Sequence, residues 1–128
     1  MNTLNNKRPK HLNLLKIKMP VSAVVSILHR VSGIILFLSI PYILWLLSQS
    51  TTTPEGFKSV NTLFNTTSGQ LINIVLLWAV THHFYAGLRF LLLDLNVGIS
   101  REATIKIAWL VNLLVFITLI YLVVKVVL

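Results

Sequence analysis

Three stretches of this chain are predominantly apolar for long enough to cross a bilayer, and polar residues separate them. A membrane-spanning helix needs about 20 such residues. The first stretch opens after Pro20, whose missing N–H is harmless in a first helical turn, and predicts helix I over about 22–47. Pro41 falls inside it, which membrane helices tolerate when neighbours satisfy the freed carbonyl. Ser48 to Gly69 is rich in Thr, Ser and Asn, with Pro54-Glu55-Gly56 as a breaker, and reads as a polar loop. The second stretch predicts helix II over about 70–93. Asp94 to Glu102, with Gly98, is a short connection, and the third stretch predicts helix III over about 104–127. The expected fold is all-α: one membrane-anchor domain over 1–128, an integral bundle of three transmembrane helices preceded by a polar segment over 1–20.

Charge then orients the bundle. The segment before helix I carries Lys7, Arg8, Lys10, Lys16 and Lys18 with no acid, and the II–III connection adds Arg101 and Lys106. The I–II loop offers Lys58 and the C-terminus Lys125. Lys and Arg favour the cytoplasmic side of a membrane, so the N-terminus and second connection are expected in the cytoplasm, or the matrix if the protein were mitochondrial. A bacterial inner membrane is the favoured location, since no transit peptide is visible. The first apolar stretch is too long for a signal peptide, and it holds Pro20 and Arg30 without a small-residue cleavage pattern, so it is expected to be retained as a span. Trp45 and Trp109 fall near helix ends, where amphipathic rings favour the interface; Trp78 is expected to be packing.

Composition narrows the chemistry. The chain has 128 residues, 55% hydrophobic and 11% charged, with a formal charge of +8 and no cysteine. Membrane topology accounts for the basic residues, so nucleic acid is not an expected partner; the lipid membrane is. The absence of Cys excludes disulfides, thiolate-held iron–sulfur clusters and haem attached through Cys-x-x-Cys-His. A redox centre here would rest on histidine, methionine or noncovalent contact.

Polar residues inside the spans are costly and usually face a cavity or partner. On helix I, Ser22, Ser26, His29, Arg30 and Gly33 share one face. Ser26, His29 and Arg30 together offer a hydroxyl, an imidazole and a guanidinium fork, a donor set suited to a carbonyl or carboxylate oxygen. The plainer alternative is an arginine that snorkels to the headgroups and a serine bonded to its own backbone. On helix II, His82 and His83 point roughly 100° apart and cannot share one ion face to face. Ala79, Ala86, Gly87, Phe90 and Asp94 fall on the His83 face, a flat slot that a bulky planar group could enter. The alternative is close helix packing with His83 hydrogen-bonded across the contact. His82 shares its stripe with Tyr85 and Arg89, and a structural role is expected for it. Arg89 and Asp94, five apart, are poorly spaced for a pair and are expected to meet a partner subunit or headgroup. Counting ~1.5 Å per residue from the cytoplasmic end puts His29 roughly 10 Å and His83 roughly 16 Å deep. At different depths they are not expected to clamp one iron, and a second axial ligand would come from another chain.

These residues carry a resemblance. Arg8-Pro9, His11 to Leu14, Pro20 and Ser26-Ile27-Leu28-His29-Arg30-Val31-Ser32-Gly33 resemble the cytochrome b556 subunits of succinate dehydrogenase. Thr53-Pro54-Glu55-Gly56-Phe57 is similar to proteobacterial members, and His83-Phe84-Tyr85-Ala86-Gly87-Leu88-Arg89 with Asp94 resembles their haem-ligand segment. The resemblance spans nearly the whole chain. It implies a four-subunit complex with a flavoprotein, an iron–sulfur protein and a second three-helix anchor that pairs with this one, passing electrons from succinate to ubiquinone. It implies one haem b shared between the anchors, with His83 as this chain's axial iron ligand, His29 and Arg30 toward the haem, and Ser26 and Arg30 at the quinone. Succinate and flavin would belong to the partners, so the chain would be no enzyme alone. Many relatives carry His directly after the motif Arg; here Phe90 stands in that place.

Two other classes fit the bare pattern: a subunit of a small proton- or ion-conducting assembly without haem, with His29, Arg30, His82 and Asp94 as a relay, and a cofactor-free anchor whose polar residues pack helices.

Overall fold

The computed structural model describes residues 18–126. Most of the N-terminal basic segment, including Lys7, Arg8, Lys10, His11 and Lys16, and the end of the third span at Val127 lie outside the described residues. The chain forms α1 (Val21–Thr52), α2 (Pro54–Phe64), α3 (Thr67–Asp94) and α4 (Arg101–Val126). Three of them, α1, α3 and α4, are long and apolar enough to cross a membrane. The 32 residues of α1 reach ~48 Å at ~1.5 Å per residue, well beyond the ~30 Å hydrocarbon layer. It runs unbroken through Pro41.

The expected polar loop over 48–69 is instead mostly helical. The last turns of α1 persist because short polar side chains bond back along the helix. Ser50 donates to the Leu47 carbonyl at 3.0 Å and Thr51 to the same oxygen at 2.8 Å. After a single extended residue, Thr53, α2 begins with Pro54 in its first turn. The Thr53 hydroxyl caps it, accepting from the Gly56 N–H at 3.0 Å. Proline thus starts a helix here rather than breaking one, because its ring fixes a helical φ where no N–H is required. Val60 is buried against the bundle while Phe57, one turn earlier, stays exposed, so α2 is a short amphipathic helix across the end of the spans.

At the opposite end, the turn from α3 to α4 is a Schellman close. Val97 N–H donates to the Leu92 carbonyl at 2.9 Å and Asn96 N–H to Leu93 at 3.0 Å. Asn96 takes the left-handed conformation this requires, with φ 59°. Gly98 follows at φ 74°, and a Cβ there would strike Ile107 of α4, so glycine serves both the backbone angle and the close approach. Ser100 then caps α4 by accepting from Ala103 N–H at 3.3 Å.

Helix α3 packs along both α1 and α4, which touch each other less extensively. Its buried positions Ala79, His82, Ala86 and Arg89 recur at three- and four-residue steps, the seam of a helical bundle. Ala86 meets Val25 of α1 and Ala108, Val111 and Val115 of α4 at the core, with Trp78 packed against it. Small residues dominate because helices in lipid associate by close packing rather than by hydrophobic expulsion. Outward-facing side chains are large and apolar, among them Phe37 at 71% exposed and Phe116 at 62%. Trp45 and Trp109 are also exposed.

Candidate functional site: a histidine pair between α1 and α3

The two antiparallel spans α1 and α3 meet through a reciprocal pairing of histidine with glycine. His83 of α3 lies over Gly33, where an added Cβ would come within 3.1 Å of its Cε1; His29 of α1 lies over Gly87, at 3.6 Å from its Nε2. The glycines let the backbones approach, and the two imidazoles stack between them with centroids 4.1 Å apart and planes 15° from parallel. The expected separation in depth is therefore not kept by the rings. Counting rise along a helix locates Cα atoms, whereas an imidazole projects several ångströms from its Cα and closes the gap. A pair stacked this tightly still leaves no room for an ion between them.

One nitrogen of His83 is committed. Its Nδ1 lies 3.2 Å from the His29 carbonyl and 3.2 Å from the Ser32 hydroxyl. Ser32, fully buried, donates its own proton to that carbonyl at 2.8 Å. A carbonyl accepts only, so the assignment that satisfies all three contacts puts the proton on Nδ1, donating to both oxygens. Nε2 then keeps its lone pair and has no partner among the described residues. A ring oriented through Nδ1–H to a backbone carbonyl, with Nε2 free, is the usual preparation of a metal-binding histidine. It is also the hydrogen bond across a helix contact that the alternative reading anticipates. The geometry contains both.

His82 points elsewhere. It is 2% exposed, its ring centroid is 5.5 Å from that of Trp78, and neither ring nitrogen has a partner. Enclosed in the seam, it offers no approach to a large planar group.

The slot of small residues assigned to the His83 face is corrected by the packing. Ala79 and Ala86 are fully buried, with Ala86 in the three-helix core. Packing against Val25 of α1 and Ala108, Val111 and Val115 of α4 encloses Ala86, while Gly87 borders the histidine pair. Phe90 does lie on this face, its ring centroid 5.1 Å from that of His29, and the Arg89 guanidinium stands 5.5 Å over the Phe90 ring. Arg89 is buried, whereas Asp94 is exposed.

Ser26 is half-buried and Arg30 exposed, one helical turn apart on α1. Ser32 and Ser39 return their hydroxyls to carbonyls of the preceding turn, but Ser26 makes no hydrogen bond to any described residue. Its hydroxyl and the Arg30 fork are both available beside the histidine pair. Ser32 is the residue that reading the sequence overlooked. It stands in the Ser26–Gly33 stretch that carries the resemblance, next to the glycine at the close contact.

The chain matches, over residues 4–122, the family described as succinate dehydrogenase/fumarate reductase transmembrane subunit. Among curated proteins it is similar to the succinate dehydrogenase cytochrome b556 subunit of Coxiella burnetii, at 36% identity over 73% of this chain and 75% of that one. It is similar to the subunit of the same name from Paracoccus denitrificans, at 31% identity over 77% of this chain and 76% of that one. The Rickettsia felis counterpart is 31% identical over 81% of each.

Proposed function

The chain belongs to the succinate dehydrogenase/fumarate reductase transmembrane subunit family, and from that premise we propose that it is the membrane-anchor cytochrome b subunit of a succinate:quinone oxidoreductase. In this reading it is a multi-pass inner-membrane protein with its N-terminus in the cytoplasm. Its partners are a flavoprotein, an iron–sulfur protein and a second three-helix anchor, and it shares one haem b with that anchor.

The observation that carries the reading is the His83 imidazole, held through Nδ1 by the His29 carbonyl and Ser32 with Nε2 left free. Among the described residues no three metal-ligating side chains converge. A single prepared imidazole suits a metal that arrives already held by most of its ligands, as haem iron would. When bound, haem b would supply one-electron transfer. His83 would hold it from this chain, and His29 and Arg30 would face its rim. Phe90, beside His29, can offer that group no hydrogen bond.

Ser26 and Arg30 would receive the quinone. A hydroxyl and a guanidinium fork, one turn apart, can donate to quinone oxygens and stabilise the negative charge that develops there during reduction. Arg30 stays charged throughout, so it binds and orients without moving a proton. Succinate oxidation and the flavin belong to the partner subunits.

The test is selective. In assembled complex, Ser26→Ala and Arg30→Leu should each lower succinate:quinone reductase activity by an order of magnitude or more, since losing one such donor costs ~3–4 kcal/mol. Succinate-driven reduction of a dye that takes electrons upstream should survive. Loss of both activities together, or of neither, removes these residues from the quinone site.

A further inference from the structure

Near its C-terminal end, beside Phe90 and against α4, α3 carries a second feature, and the function proposed above makes no use of it. Arg89 is 4% exposed and its Nε has no hydrogen-bond partner. A guanidinium buried without an anion is among the most costly arrangements a membrane helix can hold. It lines a cleft of about 190 Å³ between α3 and α4, with Tyr85, Leu88 and Leu92 from α3 and Ile107 and Leu110 from α4. The Tyr85 hydroxyl is already bonded to Thr118 at 3.0 Å. The rest of the cleft is aliphatic, and the guanidinium, packed on one side against the Phe90 ring, meets no anion among the described residues.

Level and charge say what fits. Arg89 lies about 13 Å along the axis from the midpoint of α3, close to the ~15 Å half-thickness of the hydrocarbon layer where glycerol and phosphate groups begin. Exposed Arg101 and Lys106 stand at this same end of the bundle, with Asp94 and Glu102 as the opposing charges. These four charges cancel, so the buried Arg89 leaves this end with one net positive charge. Leu88, Leu92 and Leu110 are substantially exposed and continue the cleft outward as an apolar furrow.

We infer that the α3–α4 cleft is a site for one anionic membrane glycerophospholipid, its phosphate on the Arg89 guanidinium and an acyl chain along Leu88, Leu92, Ile107 and Leu110. Basic pockets between spans near the membrane surface take anionic lipid headgroups in this way. A zwitterionic lipid brings a cationic choline beside its phosphate, which lowers its net attraction to the Arg89 guanidinium and selects against it.

The experiment uses the complex containing this chain, purified in detergent and delipidated, and measures binding of dioleoyl phosphatidylglycerol by native mass spectrometry and fluorescence titration. Wild type should hold one phosphatidylglycerol at least tenfold more tightly than phosphatidylcholine, and millimolar inorganic phosphate should not displace it. Arg89→Leu should weaken binding at least tenfold, and Arg89→Lys should recover most of it. Leu110→Trp, which fills the furrow and leaves Arg89 in place, should also lose the lipid; it decides the matter if Arg89→Leu does not assemble. Equal affinity for the two lipids, displacement by phosphate, or unchanged binding in Leu110→Trp overturns the inference. So does an Arg89→Leu variant that sheds the second anchor subunit while Leu110→Trp still binds lipid, because Arg89 would then be pairing with protein.

Discussion

Replacing Ser32 with alanine isolates what holds the His83 ring. The hydroxyl is fully buried, accepts from His83 Nδ1–H at 3.2 Å and donates to the His29 carbonyl at 2.8 Å. Alanine removes both contacts and adds no bulk. The Nδ1 proton keeps the His29 carbonyl at 3.2 Å, so the ring should remain roughly in place with one of its two anchors lost. A net hydrogen bond is worth ~0.5–1.5 kcal/mol, which corresponds to a roughly two- to thirteenfold weaker hold on haem. The assay is haem retained per complex during titration with a haem-binding competitor, read beside the reduced optical spectrum. Ser39→Ala is the control, since that hydroxyl lies on the same buried stripe but bonds only to the Leu36 carbonyl, at 2.7 Å. It should leave haem retention unchanged. Equal retention in Ser32→Ala and wild type, or an equal loss in Ser39→Ala, would refute the argument that Ser32 orients the ligand.

Gly33→Leu should disturb the haem spectrum strongly and Gly33→Ala weakly, because a Cβ at Gly33 already lies 3.1 Å from His83 Cε1 and a longer side chain must displace the ring; matching spectra for the two would contradict this. Ala86→Leu should lower the unfolding midpoint of the complex, corresponding to ~1–3 kcal/mol of overpacking among Val25, Val111 and Val115; a midpoint at or above that of wild type would contradict the core as described. A topology reporter in the Asp94–Glu102 connection should read as cytoplasmic and one after Leu128 as periplasmic, following the distribution of Lys and Arg; the opposite pair of results would invert the placement of the quinone site.

Much of this architecture is legible in the sequence, for a physical reason. Lipid leaves a helix no choice but to satisfy its own backbone, so long apolar runs announce the spans directly. The divergence of His82 and His83 is equally legible, since neighbours on a helix cannot point one way. What escaped depends on the register between helices. Ser32 becomes a partner of His83 only once α1 and α3 are docked at Gly33 and Gly87. Ala86 looks like part of the His83 face until α4 arrives and buries it. The α2 helix was masked differently. Thr53-Pro54 is a cap followed by a first-turn proline, and Phe57, Val60 and Phe64 recur at helical spacing, but Pro54-Glu55-Gly56 also has the composition of a turn. Local chemistry alone did not separate the two.

The central claim, that His83 rather than His82 ties haem to this chain, rests on a difference of one residue and is open to one measurement. It is the dithionite-reduced minus oxidised spectrum of assembled complex carrying wild-type chain, His83→Ala or His82→Ala. Wild type should show a b-type Soret and α-band. His83→Ala should lose or displace them, while His82→Ala, whose ring is sealed inside the seam, should keep them. A wild-type complex without the bands, or a spectrum lost in His82→Ala and intact in His83→Ala, contradicts the account.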